Sequence, residues 1–269
     1  MIMRHEVTQS LMQATAEVAR AAGLVALESF GKSLQVDSKA DGSPVTAADR
    51  AAERLAREWI DKHFPADGVL GEEFGLTRPD ASRRWILDPI DGTKSYIRGI
   101  PLWGTLVAVA EGQEVLAGAA FFPAVDEILV AARACGCWWN GRACTVSSVR
   151  ELSAATVLVT DDRFPDNRGR RDAWHELAQS AAVARTWGDC FGYLLVATGR
   201  AEVMLDDVVS AWDAAAILPI IEEAGGVVTD WTGRPTAFGG DVIATNGLLA
   251  TAVRDILVGS AERMKGPVS

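Results

Sequence analysis

The stretch Trp85-Ile86-Leu87-Asp88-Pro89-Ile90-Asp91-Gly92-Thr93 decides how the rest of the chain is read. An apolar run with the character of a strand ends on Asp88. A second acid follows three residues later, then a Gly-Thr pair able to open a helix. If the chain turns between the acids, with Pro89 helping to fix that turn, both carboxylates converge on one pair of metals. The Ile90 carbonyl offers a further hard oxygen. Backbone N–H groups of Gly92 and Thr93, at a helix start, would point at an anion. Asp-Gly alone is an ordinary turn. The whole string sets metal ligands beside a phosphate cradle.

Working outward, Ala-rich helical periodicity runs from Val7 to Phe30 and stops at Gly31. A polar loop spans Asp37 to Pro44. Thr46 is a good N-cap for a second helix to about His63. Phe64 to Gly68 reads as a turn, and Val69-Leu70 leads into Gly71-Glu72-Glu73. Trp103 to Ala132 is strand-like, broken at Glu111-Gly112 and Pro123. Trp138-Trp139-Asn140-Gly141 reads as a strand end and a hairpin turn. Beyond about Arg150, short apolar runs (Thr156 to Val159, Ala201 to Leu205, Gly226 to Val228, Val242 to Ala244) alternate with helical segments. Those helices lie near Arg171 to Ala182, Cys190 to Thr198, Ala211 to Ala224 and Leu248 to Val258. The pattern predicts an α+β lobe over 1–150 and an α/β lobe over 151–269.

Composition narrows the function. The chain has 269 residues, 49% of them hydrophobic, enough for a substantial core. Net charge is −10 and no basic run occurs, which argues against nucleic acid. No apolar run is long enough for a membrane span, and the first ten residues lack an apolar signal region, so the cytoplasm is the expected location. The four cysteines form no disulfide framework. Cys135, Cys137 and Cys144 are close together, but their spacing is not that of a zinc ribbon or finger, and they read as small buried thiols. The three histidines are scattered, so any metal must rely on oxygen ligands. Taken singly, Glu72-Glu73, Asp49 in a helix first turn and Asp213 near another helix start are also ordinary solvated or capping acids.

Together they carry a resemblance. Asp41-Gly-Ser-Pro-Val-Thr46-Ala-Ala-Asp49, Gly71-Glu72-Glu73, Asp88-Pro-Ile-Asp91-Gly-Thr93, Trp212-Asp213-Ala-Ala and Glu223-Ala-Gly-Gly226 occur in an order and spacing that resembles the inositol monophosphatase superfamily of Mg²⁺-dependent, typically Li⁺-sensitive phosphatases. The resemblance covers essentially the whole chain. It implies a layered αβαβα sandwich of two lobes with the active site in the cleft between them. It implies metal ligands at Glu72, Asp88, the Ile90 carbonyl, Asp91 and Asp213, for two to three Mg²⁺ ions, with Mn²⁺ as a substitute. It implies that Asp49 and Thr93 orient the attacking water, that Glu72 joins them in catalysis, and that the Gly92 and Thr93 amides hold phosphate. Lys39 matches a basic position near the site. A homodimer is common in the family.

For the substrate, Arg185-Thr-Trp-Gly188-Asp189-Cys-Phe-Gly-Tyr193 is informative. Inositol-specific members usually carry a small neutral residue where Asp189 stands. The segment resembles the histidinol-phosphatase branch, whose substrate has a cationic tail that an acid would pair with. Asp206 matches a substrate-contact acid, and Arg185 is a further candidate. The other reading of Asp189 is a cap for the helix near Cys190, and Phe191 and Tyr193 read as helix packing. The resemblance therefore implies hydrolysis of a small phosphorylated metabolite, histidinol phosphate, in histidine biosynthesis. An inositol or other polyol monophosphatase is the alternative, and a non-catalytic metal- or anion-binding regulator is an alternative of another class.

Overall fold

Apolar side chains at every second position of the central strands force the molecule into layers. In the strand Gly104–Glu111, Val107 and Val109 face one core while Leu106, Ala108 and Ala110 face another. Both faces of that strand are therefore covered. The computed structural model describes residues 2–32, 36–38, 44–164 and 167–263.

The first layer is a helix pair, α1 (Ile2–Leu27) and α2 (Ala47–His63). On α2, Ala48, Ala52, Ala56 and Ile60 repeat at a spacing of four and bury one stripe. The Thr46 hydroxyl caps α2 by accepting from the Ala48 amide at 3.1 Å. Small residues let α1 lie close to the sheet: a Cβ on Gly23 would meet the Phe121 ring at 2.6 Å. A short ribbon, β1 (Val36–Ser38) and β2 (Pro44–Thr46), precedes α2. It holds the two ends of the polar loop; Lys39 and the Asp41-to-Ser43 part of the motif lie outside the described residues.

The second layer is an eight-stranded sheet of β3 (Gly68–Gly71), β4 (Gly75–Thr77), β5 (Arg83–Asp91), β6 (Gly104–Glu111), β7 (Glu114–Phe122), β8 (Glu127–Ala132), β9 (Cys137–Trp139) and β10 (Arg142–Ala143). Its order is β10-β9-β8-β7-β6-β5-β3-β4, antiparallel except for the β3–β5 pair. Asn140 and Gly141 both have positive φ, 48° and 76°, as the hairpin turn demands. A one-turn helix, α3 (Thr93–Tyr96), follows β5.

The remaining elements are β11 (Thr156–Val159), α4 (Arg168–Ser180), β12 (Val183–Arg185), α5 (Asp189–Ala197), β13 (Val203–Asp206), α6 (Ala211–Ala214), α7 (Ile217–Glu223), β14 (Val227–Thr229), β15 (Val242–Thr245) and α8 (Ala250–Arg263). The five strands form a sheet of order β12-β11-β13-β15-β14. Helices α5 and α7 lie between the two sheets, in one core that takes Leu106 and Phe122 from one sheet and Leu158 and Met204 from the other. Helices α4 and α8 cover the outer face through Trp174, Leu177, Val253 and Leu257. The layers thus run α-β-α-β-α, as the resemblance implies. Two local differences stand out. β12 carries no apolar run that announces it, and the expected helix from Ala211 to Ala224 is two helices, α6 and α7.

Candidate active site

The acids of the opening motif are brought together by a β-bulge, not by the expected turn. Strand β5 continues through Asp91, and its register against β6 shifts from Asp88↔Leu106 to Asp91↔Gly104. Two residues of β5, Pro89 and Ile90, thus oppose the single Thr105. Without that extra residue, side chains three apart would leave opposite faces of the sheet. The bulge resets the alternation and turns both acids to one side. Pro89 is tolerated there because a bulge releases its position from the ladder, and the Thr105 hydroxyl donates to the Pro89 carbonyl at 2.8 Å. The Ile90 amide donates to Asp88 Oδ1 at 3.0 Å, and the Thr93 hydroxyl donates to the Ile90 carbonyl at 3.0 Å. Gly92 caps α3 with φ +89°, and a Cβ there would lie 2.7 Å from the Leu102 carbonyl oxygen, so the position requires glycine.

Asp213 joins from the other half of the chain. It is the third residue of α6, and its Oδ2 accepts from the Ser210 amide at 2.7 Å. Carboxylate oxygens of Asp88, Asp91 and Asp213 lie within 4.8 Å of one another, the one such group of three or more potential metal ligands among the described residues. Burial first, then the charges of Glu72, Asp91 and Asp213, push the Asp88 carboxyl well above the usual range. Burial, then Asp189 and Asp213, push Asp91 the same way, against the amide of Cys190, which donates to Asp91 Oδ2 at 2.5 Å. Carboxylates that repel one another in a clustered, all-oxygen site fit a hard divalent cation, which would supply the missing positive charge.

The charge of Glu72 reaches Asp88 of this cluster, while Asp49 meets Thr46 and the charge of Glu73. Asp49 is buried, and its Oδ2 accepts from both the Thr46 amide and the Thr46 hydroxyl at 2.7 Å. Burial raises its carboxyl and the Thr46 bonds oppose that shift. Asp213 is therefore a helix-capping acid and a cleft acid at once, and Asp49 is a helix-capping acid. Glu72 follows β3, and its loop is held by a residue that sequence reasoning missed. Glu53, on α2 and fully buried, accepts from the amides of Glu73 and Phe74 and from Arg57 Nε. A Cβ on Gly71 would lie 2.0 Å from Glu53 Oε1. In sequence, Glu53 and Arg57 look like an exposed helical i,i+4 pair.

Beside the cluster lies a cavity of about 70 Å³ lined by Asp91, Thr160, Asp189, Tyr193, Asp206 and Asp213, among others. Thr160 and Asp189 also line a second cavity of about 330 Å³, which reaches Lys94, Asp161, Asp162, Arg163 and Thr186. Asp189 is not a side-chain cap. It is the first residue of α5, has φ +51°, and its amide donates to the Thr160 hydroxyl at 2.8 Å. The carboxylate that meets the start of α5 is Asp91. Burial lifts Asp189 to about 6, with Lys94 pulling down and Asp213 pushing up. Asp206 accepts from the Tyr193 hydroxyl at 2.8 Å and from the Thr160 amide at 3.3 Å; burial lifts it to about 7 against those bonds. Tyr193 is buried, and Phe191 packs edge-on against Phe122. Arg185 is not brought to the site: it is exposed at the end of β12, its guanidinium donates to the Ala184 carbonyl, and it lines neither cavity. Thr160 and Lys94 had no motif to mark them.

Known proteins resemble this chain along nearly its whole length. A histidinol-phosphatase from Chlorobaculum parvum is 42% identical over 94% of this chain and 98% of its own length. A histidinol-phosphatase from Mycobacterium tuberculosis is 38% identical over 89% of this chain and 94% of its own. A solved inositol monophosphatase from Zymomonas mobilis superposes with a TM-score of 0.83 at 30% identity, covering 94% of this chain and 98% of that one. The inositol monophosphatase family pattern matches residues 7–263, nearly end to end, and the chain belongs to that family.

Proposed function

We propose that this chain is a Mg²⁺-dependent phosphomonoesterase that hydrolyses L-histidinol phosphate to L-histidinol and phosphate. The observation that carries the chemistry is the set of three carboxylates from two parts of the chain within 4.8 Å of one another in a cleft. The substrate reading is supported by relatives 42% and 38% identical that are named histidinol-phosphatases, and by an acid, Asp189, lining both cavities beside the cluster.

In this reading Glu72, Asp88, Asp91, Asp213 and the Ile90 carbonyl hold two to three Mg²⁺ ions, with Mn²⁺ able to substitute. Bound Mg²⁺ supplies Lewis acidity toward a phosphoryl oxygen and lowers the pKa of water. The protein does the rest. Asp49 and Thr93, with Glu72 beside them, orient the attacking water and take up its proton. The Gly92 and Thr93 amides hold the phosphate at the start of α3. Asp189 pairs with the ammonium of the leaving alcohol, a charge-assisted contact that a polyol cannot offer. Asp206 lines the same cavity. No nucleophilic cysteine or serine is required. Lithium sensitivity, a homodimer, two lobes meeting near residue 150, a cytoplasmic location and a place in histidine biosynthesis belong to the same reading.

Phosphate release from histidinol phosphate, inositol phosphate and fructose bisphosphate, each with and without Mg²⁺, tests it. Histidinol phosphate is expected to be preferred and turnover to require the cation. Preference for inositol phosphate would replace the substrate, and no turnover of any ester would leave a binding protein. Asp189→Asn is expected to raise KM for histidinol phosphate by about 10-fold or more, the scale of one lost charge-assisted bond, with little change for glycerol phosphate. Equal losses for both esters would make Asp189 structural.

A further inference from the structure

At one edge of the eight-stranded sheet, the hairpin β9–β10 brings two thiols together. Trp138 pairs with Ala143 in that ribbon, and the next pair outward is Cys137 and Cys144. The Cys144 amide donates to the Cys137 carbonyl at 3.0 Å, which fixes the two backbones side by side. The Cys144 thiol donates to the Cys137 sulfur across 3.5 Å. A disulfide needs about 2.0 Å, so each sulfur has to move by less than about 1 Å. Cys137 is buried and Cys144 half-buried, so one thiol is open to small molecules and the other is held behind it. Cys135, two residues from Cys137, faces other groups: its sulfur lies 3.7 Å from the Thr8 hydroxyl and 3.8 Å from His5 Nδ1.

We propose that Cys137 and Cys144 are a reversible oxidation site, reduced at rest and closed to a disulfide by peroxides. The order of events follows from the geometry. Cys137 is buried and Cys144 only half-buried, so a peroxide meets the Cys144 sulfur first. Cys144 is therefore the nucleophile. Its thiolate attacks one oxygen of hydrogen peroxide; the S–O bond forms, the O–O bond breaks, and hydroxide leaves and is protonated to water. The Cys137 sulfur then attacks the Cys144 sulfenic sulfur. The S–S bond forms, the S–O bond breaks, and the hydroxyl departs with the Cys137 proton as a second water. Two thiols are oxidised by two electrons and one peroxide is reduced. A dithiol reductant reverses the step.

The bond would sit at a junction of the fold. Directly after Cys144 the chain leaves the eight-stranded sheet, and the Val146 amide donates to the Ala224 carbonyl just beyond α7. Glu223, on α7, accepts from the amides of Ala134 and Gly136 at 2.7 Å on the other side of the hairpin. Oxidation would staple the ribbon at the point where the chain crosses between sheets.

The test treats the folded full-length protein with hydrogen peroxide, blocks thiols by alkylation before unfolding, and maps the peptides. The expected product is a Cys137–Cys144 link that loses two hydrogens, returns with dithiothreitol, slows amide exchange across 137–144 and raises the unfolding temperature. Cys135→Ser is expected to form it as readily as the wild type. Cys144→Ser is expected to form no link, and Cys137→Ser to leave a sulfenic acid on Cys144 that dimedone traps. Sulfinic acid on Cys144 beside a free Cys137, or a link that runs through Cys135, would overturn the proposal. So would an unmodified pair under peroxide that oxidises Cys135.

Discussion

Buried carboxylates in this molecule are of two kinds. In the turn after β14, Asp230 is buried, yet it accepts from the Thr232 hydroxyl and from the amide and guanidinium of Arg234. Burial works against its charge, but those donors outweigh it and bring the carboxyl down to about 2. Glu53 is likewise met by Arg57 and two backbone amides. In the cleft, Asp88 has the Ile90 amide and then other carboxylates, and its pKa moves the opposite way. The fold supplies donors for the acids it uses for itself. It gathers Asp88, Asp91 and Asp213 against one another, an arrangement that holds either by taking up protons or by taking positive charge from a cation.

The largest effect expected from this contrast is functional. Asp88→Asn is predicted to lower turnover by about 10³-fold or more, the scale of losing a preorganised electrostatic partner. It removes one repelling charge, so the metal-free variant is predicted to melt no lower than the wild type. Turnover near normal, or a collapse in melting temperature, would erase the distinction between the two kinds of acid.

The converse substitution sharpens it. Glu53→Ala leaves the Arg57 guanidinium partly buried beside two amides without their acceptor. It is predicted to cost about 3 kcal/mol in urea unfolding, because the Glu73 and Phe74 amides lose their acceptor and Arg57 keeps only Gly75 and Thr77. Added Mg²⁺ is not expected to restore that loss. For the wild type, Mg²⁺ at a hundred times its dissociation constant is predicted to add about 2.7 kcal/mol of stability, and for Asp88→Asn far less. An equal Mg²⁺ response in both proteins would show that the cation binds elsewhere.

The same contrast explains what was legible beforehand. The layers and most elements follow from apolar periodicity, and the Thr46 cap and the Asn140-Gly141 turn from local chemistry. The cleft acids were found because several lie within short strings. What was missed depends on partners distant in sequence. The turn expected after Asp88 is a bulge because β6 supplies one residue against two, which β5 alone does not reveal. Asp189 reads locally as a cap, but the position is filled by Asp91, about a hundred residues earlier, so Asp189 takes a left-handed backbone and lines the cavities instead. Arg185 looked close to the site because it is close in sequence, yet the β12 edge carries it outward. Glu53 carries no signal of its own in the sequence, because nothing near it announces the Gly71 loop that packs against it.

The finest test concerns Asp206, which stands between the two kinds. Tyr193 and Thr160 donate to it, as donors do for structural acids, but burial and Asp189 still hold it up to about 7. Its ordinary value is 3.8, so folding favours the protonated form. The stability that Asp206 contributes is therefore complete below the unfolded value and drains away as pH rises through about 7. Asp88 and Asp91 are shifted in the same direction, so the metal-free wild type is expected to weaken as pH rises for several reasons at once. Asp206→Asn keeps a neutral partner for Tyr193 and removes one of them. Between about pH 5 and about pH 7.5 the metal-free wild type is predicted to lose on the order of 2 kcal/mol more than Asp206→Asn, since each tenfold difference in proton affinity between folded and unfolded chain is worth about 1.4 kcal/mol. Urea midpoints across that range in chelator measure it directly. Parallel curves would mean that Asp206 is already ionised at neutral pH, fully served by its two donors and no different in kind from Asp230.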